Sequence, residues 1–378
     1  MSLPGSRLLG SARSRRGRVR TGEFDTRTRG SRSVTSRNEA LLEAPIAVPP
    51  QPTDKPSTRL LSRRTLLKAA GTGLAATTAG WVRPGPVAAA EGLPRSSRFD
   101  LRQPSYDFFP LRNRPLHERH RIMQSLAFDN VNQRLFVAQL RDASSGDDLC
   151  VNQLDMDGRV VGHMHLDGVG HGVSIGVEAV GRRSFLWTEA RSSRSDAAGR
   201  GTALQRFAFV DGQAPSDVRT FLPGSAVITC AVDQIHGRLL VRRMVSGRWQ
   251  LTVHDLAAAA DGDFGRPLTQ VRMPPLGGTF QGYTLYGRYA YALTGTGQAS
   301  PDDEIDSTLS CIDLTTGALV QRVRTRAGSS LVFREPEGLA VHRTPRGEVR
   351  LAFGMATRDR LDGRLRFANV FYKDVLVG

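Results

Sequence analysis

The sequence predicts an all-β chain in which residues 91–378 form a single five-bladed β-propeller, its ring closed by an N-terminal strand. Three observations predict it. A six-residue pattern recurs five times, its spacing fits a four-stranded blade, and the small residues of all five copies fall in the same two columns. The copies are Q-S-L-A-F-D from Gln124, V-S-I-G-V-E from Val173, I-T-C-A-V-D from Ile228, Q-G-Y-T-L-Y from Gln281 and E-G-L-A-V-H from Glu337, at intervals of 49, 55, 53 and 56 residues. Internal repeats of such length mark propellers and solenoids.

The second column holds Ser125, Ser174, Thr229, Gly282 and Gly338, and the fourth Ala127, Gly176, Ala231, Thr284 and Ala340. The third and fifth columns are larger: Leu126, Ile175, Cys230, Tyr283, Leu339, then Phe128, Val177, Val232, Leu285, Val341. Alternation with period two is a β-strand signature. Small residues on one face are expected where the innermost strands crowd around an axis. A β-sandwich explains the alternation but not five copies in phase.

Each copy runs on into a second apolar strand, such as Leu135-Phe136-Val137, and a third, such as the one from Cys150 to Leu154. Turn or loop signals at Asp157-Gly158, Asp211-Gly212, Asp261-Gly262 and Thr316-Gly317 then precede a fourth extended segment. The last copy ends before its fourth strand. Phe99-Asp100-Leu101 is expected to supply it and so to cover an open edge.

The formal charge of +16 would ordinarily point to a polyanion such as nucleic acid. Residues 1–90, however, hold 16 basic and 5 acidic residues, so +11 of that charge lies there and +5 remains on residues 91–378. No nucleic-acid partner is expected. Cys150, Cys230 and Cys311 each sit in an apolar run and read as small buried hydrophobes.

Residues 1–60 are rich in Arg, Ser, Gly and Pro without apolar periodicity and read as a disordered basic extension. Residues 61–90 read as a twin-arginine signal peptide. Ser62-Arg63-Arg64-Thr65-Leu66-Leu67-Lys68 supplies the basic region, Ala69 to Val82 the uncharged stretch, and Ala88-Ala89-Ala90 the small-residue cleavage site before Glu91. Arg63 and Arg64 are the address and Ala88 and Ala90 the cleavage determinants, with Leu66 where such signals usually carry Phe. A signal ordinarily begins nearer its methionine, so either the basic region is long or translation starts downstream. The uncharged stretch is too short and too rich in Gly and Thr to anchor in a bilayer. The expected product is extracellular or wall-associated, free of a membrane anchor after cleavage, and monomeric.

First-column residues of a propeller line the mouth of its central channel, which brings Gln124, Gln281 and Glu337 together with His171 of G-V-G-H-G as ligand-binding candidates. If the chain is an enzyme, His171, Glu335 and Glu337 are its acid and base candidates, since glycoside hydrolysis needs two carboxyl groups. Mutual satisfaction of these polar groups and channel water is the plainer alternative. Asp302, Asp303 and Asp306 are weak candidates for holding a metal ion through clustered oxygens, and a solvated acidic loop is the plainer account of them. No cofactor is expected. Arg242, Arg243, Arg248 and Trp249 read as an Arg-rich surface turn able to pair with phosphates and stack on sugars.

In order and phase, F-D-L, M-Q-S-L-A-F-D, G-H-G-V-S-I-G-V-E, F-Q-G-Y-T-L-Y and E-P-E-G-L resemble the β-propeller of teichoic acid biosynthesis protein C and of a tailed-phage receptor-binding protein, and more distantly helveticin J-type bacteriocins. The likeness spans nearly all of residues 97–378. It implies a propeller acting at the Gram-positive cell surface, with an anionic cell-wall polymer or other glycan as partner; an extracellular glycan-active enzyme or a bacteriocin-like protein are the alternatives. Unlike the phage member, this chain shows an export signal.

Replacing both Arg63 and Arg64 by Lys is expected to hold the protein in the cytoplasm, because the translocation machinery reads the arginine pair. Mass spectrometry of the wild-type secreted form should find an N-terminus at or near Glu91; unchanged secretion of the double variant would contradict the assignment.

Overall fold

Strands with small residues on one face and large ones on the other stack naturally as blades, and the computed structural model shows five of them. It describes residues 92–141, 147–193, 200–298, 300 and 302–378; Arg63, Arg64, Ala88 and Ala90 lie outside these. Blade 1 consists of Met123–Asp129, Arg134–Leu140, Leu149–Leu154 and Val160–Leu166, and blade 2 of Gly176–Val180, Arg183–Ser192, Gly201–Ala208 and Ser216–Phe221. Blade 3 is Ile228–Asp233, Arg238–Val245, Arg248–Asp255 and Thr269–Arg272, and blade 4 Phe280–Tyr286, Tyr289–Thr294, Thr308–Asp313 and Leu319–Arg324. Blade 5 takes Glu335–Arg343, Val349–Arg358 and Arg366–Lys373 from the C-terminal end of the chain and Tyr106–Asp107 from its N-terminal side. All pairs within the blades are antiparallel.

The columns set how blades meet. Between blades 1 and 2, small Ala127 faces Ile175 and Val177; between blades 3 and 4, Ala231 faces Tyr283 and Leu285; between blades 5 and 1, Ala340 faces Leu126 and Phe128. In these three pairs the small fourth-column residue leaves room for third- and fifth-column residues of the neighbouring blade. Second-column residues link every neighbouring pair around the axis. Ser125 donates to Gly172 O at 2.6 Å, Ser174 to Cys230 O at 2.8 Å, and Thr229 Oγ1 lies 3.2 Å from the Tyr283 hydroxyl. At Gly282 and Gly338 the backbones themselves touch: a Cβ on Gly282 would lie 2.8 Å from Gly338 Cα, and one on Gly338 2.6 Å from Ser125 Cα. Both glycines also have positive φ, 136° and 72°.

Where the innermost strands end, which we call the lower end, side chains link blades across the axis. Asn130 of blade 1 donates to Val341 O of blade 5 and its N–H donates to Gln234 Oε1 of blade 3, while Gln234 Nε2 donates to Phe128 O and Val177 O, both at 2.9 Å.

Three local expectations are corrected. The fourth strand of blade 5 is Tyr106–Asp107, paired with Tyr372 and Phe371, not Phe99-Asp100-Leu101. Arg98–Phe99 instead pairs with Leu376–Val377, and Phe99 and Leu101, both fully buried, wedge between blades 4 and 5. Phe99 N–H donates to Tyr291 Oη at 2.9 Å and Leu101 N–H to Gln321 Oε1 at 3.1 Å. Two large apolar side chains belong in the inter-blade core, whereas a half-exposed edge strand accepts Tyr and Asp. Asp261-Gly262 does not turn a hairpin: it ends a helix, Leu256–Asp261, whose N-cap is Asp255 and whose C-cap is Gly262 at φ 95°. In blade 2, Val173 precedes the innermost strand, which starts only at Gly176.

The three cysteines are free and buried, and burial pushes the thiols of Cys150 and Cys311 up to about 12, so they are inert fillers. Among the described residues no helix is long and apolar enough to cross a membrane.

Phe99→Ala should destabilise the domain by roughly 3–5 kcal/mol, the usual cost of emptying a buried phenylalanine site. Deleting residues 92–107 removes the wedge and uncovers the Arg366–Lys373 edge, and size-exclusion chromatography should show aggregation. A monomeric truncation with the wild-type melting temperature would contradict this closure.

Candidate functional site

The upper end of the axis, where the innermost strands begin, carries the first-column residues. In blades 1, 4 and 5 the pairing register slips there, between Met123 and Ser125, Phe280 and Gly282, and Glu337 and Leu339. These bulges re-aim the residues around them. The same three blades carry the polar first column. Gln124 and Gln281 are buried, and their amides are engaged within the rim: Gln124 Nε2 donates to Met123 O at 3.2 Å and Gln281 Nε2 to Gly295 O at 3.0 Å.

Glu337 is 3% exposed. Burial, and then the neighbouring Glu335 charge, push its carboxyl well above the usual range. Glu335 is raised too, by burial, with Arg366 opposing, and its Oε2 is buried without a hydrogen-bond partner among the described residues. The carboxyl group that bears on Glu337 therefore stands two residues away on the same strand, not across the mouth.

His171 is half-buried in the loop joining blades 1 and 2. That loop folds over Glu189 of blade 2, whose carboxylate accepts from Gly172 N–H at 2.6 Å and from Gly201 N–H. Asp302, Asp303 and Asp306 do not gather into a cation cage. Asp306 accepts from the N–H and hydroxyl of Thr296, and Asp303 from Ser300 N–H. Next to them, fully buried Arg334 donates to Ser307 Oγ, Ala327 O and Thr325 O, which fixes the rim between blades 4 and 5.

The Arg-rich segment departs most from expectation. Arg242 is not on a surface turn: it lies on the second strand of blade 3, opposite Thr229, 4% exposed. Its guanidinium is sandwiched between Trp249, 3.3 Å to the ring centroid, and Phe280 of blade 4, 3.8 Å, and its Nε lies 3.4 Å from Met273 Sδ. Burial pulls it down to about 9, so it remains a cation at neutral pH. Arg243, the next residue along the strand, points to the opposite face and donates to Gln250. Arg242, Trp249 and Phe280 form the floor of a cleft of about 310 Å³ between blades 3 and 4, with exposed Arg248 and Arg272 on its rim and Pro274 and Pro275 in its wall. Of these, Arg242, Arg248 and Trp249 were legible as candidates; Arg272 and Phe280 were not. Phe280 directly precedes the first column, and its contact across the blade boundary has no counterpart in local sequence.

The fold is thus a five-bladed propeller with a cationic, aromatic-lined cleft at its upper end. Residues 122–371 match the sequence profile of the phage five-bladed β-propeller receptor-binding platform domain, and the chain belongs to that family. No curated protein sequence matches it. Among solved structures it is similar to the tail fiber of Staphylococcus aureus phage P68, with 19% identity and a TM-score of 0.55 over 68% of this chain and 50% of the fiber chain. This chain thus spans about half the length of that fiber protein. A mutant of the GH43 protein BlXynB from Bacillus licheniformis is also similar, at 11% identity and a TM-score of 0.40, over 71% of this chain and 54% of that one.

Proposed function

We propose that the chain is a cell-surface recognition protein that binds an anionic wall glycopolymer of the teichoic acid type in the cleft between blades 3 and 4. The observation that carries this reading is the buried, charged Arg242 held between two aromatic rings. A planar guanidinium so clamped is ordered before the ligand arrives and presents a fork suited to phosphate. Arg248 and Arg272 at the rim add charge for successive phosphates, and Trp249 with the Pro274-Pro275 wall offers apolar faces for sugar or polyol units. The family's receptor-binding platform supports recognition at a cell surface, and the resemblance to teichoic acid biosynthesis protein C supports the polymer class. Export through the Arg63-Arg64 signal would bring the folded domain to that polymer. A second reading, a glycan-active enzyme, rests on buried Glu337, its carboxyl raised above the usual range, beside Glu335.

Binding to purified wall teichoic acid should separate the two. Reversing the rim charges, Arg248→Glu with Arg272→Glu, should weaken affinity by more than about tenfold, roughly 1.4 kcal/mol, and the loss should shrink as salt screens the contacts. Glu337→Gln should change affinity by less than about tenfold, since an amide already stands at the matching positions Gln124 and Gln281. Wild-type affinity in the rim double variant would overturn the cleft assignment. A turnover reaction abolished by Glu337→Gln in a folded protein would favour catalysis.

A further inference from the structure

All eight histidines of the chain lie after residue 116, and three of them meet at the outer edge of blade 1. Side chains alternate along Val160–Leu166, so Gly162, Met164 and Leu166 are buried while His163 and His165 share the other, half-exposed face. The segment entering blade 1 lays His117 over them. The His117 and His163 rings stack at 3.6 Å, and the His165 ring is 5.7 Å from the first and 5.2 Å from the second. One ring nitrogen from each of the three lies within 4.8 Å of the others.

The cluster is built rather than incidental. His117 N–H donates to Asn152 Oδ1 at 2.7 Å, Glu118 N–H donates to Gln139 Oε1 at 3.0 Å, and Gln139 Nε2 returns a bond to Glu118 O at 2.8 Å. Asn152 and Gln139 are both fully buried, so the blade's interior fixes the backbone that carries His117. Two carboxylates stand behind the strand histidines: Glu118 Oε1 is 3.2 Å from His165 Nε2 and Asp211 Oδ1 is 3.9 Å from His163 Nδ1.

We propose that His117, His163 and His165 form a binding site for one divalent transition-metal ion of the zinc class, which fastens the segment entering blade 1 to that blade's outer strand. Three imidazoles suit zinc, copper or nickel rather than calcium or magnesium. Histidine ligands commonly hand their second ring nitrogen to a carboxylate, which orients the ring and raises its basicity, and Glu118 and Asp211 are placed for this. Zinc–nitrogen bonds of about 2.0–2.1 Å call for nitrogens about 3.4 Å apart. Exposed His117 supplies the closure by turning out of its stack on His163.

The test uses the untagged full-length chain titrated with zinc chloride by calorimetry, with thermal melts in parallel and cobalt(II) as a visible-absorption probe of imidazole ligation. One equivalent of zinc should bind and raise the melting temperature. His163→Ala with His165→Ala, and separately His117→Ala at its exposed position, should weaken binding by at least about 100-fold and cancel the thermal shift. His120→Ala, an exposed neighbour outside the cluster, should leave both unchanged. Absence of binding at millimolar zinc, or a site whose affinity survives both His163→Ala with His165→Ala and His117→Ala, would overturn the proposal.

Discussion

The structure depends on how closely five innermost strands can approach one axis. Every adjacent pair of blades is joined there through a second-column residue: hydroxyls of Ser125, Ser174 and Thr229 reach the next blade, and Gly282 and Gly338 bring bare backbones into contact. Each hydroxyl bond contributes only about 0.5–1.5 kcal/mol. Their effect is geometric, because a side chain larger than Ser or Thr at these positions would force the ring open. With the centre fixed, the fourth-column residues determine how far each blade lies from the next, and the third and fifth columns fill the gap.

Polar side chains also crowd the two ends of that axis. The axis is crossed at its lower end by Asn130 and Gln234, and at its upper end Gln124 and Gln281 are turned onto rim carbonyls. A cleft lies between blades 3 and 4, where Phe280 at the start of one blade reaches Arg242 of the other. Because that arginine is buried between rings, its charge is held at a set position instead of sampling solvent, and under the proposed function it would meet an anionic chain already ordered.

Blade number, strand order and the axis were legible because they rest on short-range alternation repeated in phase. Ring closure was legible in kind but not in place. Phe99-Asp100-Leu101 and Tyr106–Asp107 both have an extended pattern, and only the depth of the blade 4–5 gap assigns the large apolar pair to the core. The helix at Leu256–Asp261 was hidden by its Asp261-Gly262 ending, which in isolation reads as a turn, although Asp255 before a run of alanines is a helix start. For the site, Arg242 and Trp249 were visible as residue types, but not the burial of Arg242, since its second ring comes from the next blade. His163 and His165 carried a local signal, alternate histidines on a strand, while His117 joins them only through the fold.

The central claim, that contact between innermost strands sets the ring, is tested most directly by comparing thermal unfolding of Gly338→Ala with that of Gly347→Ala. Both glycines have positive φ, 72° and 87°, so both substitutions carry backbone strain, but a Cβ at 347 meets nothing within 4 Å while one at 338 would lie 2.6 Å from Ser125 Cα. The account predicts that Gly338→Ala is the more destabilising by at least about 2 kcal/mol, as overpacking adds to strain. Equal losses at the two positions would show that the axis is not close-packed and would contradict it.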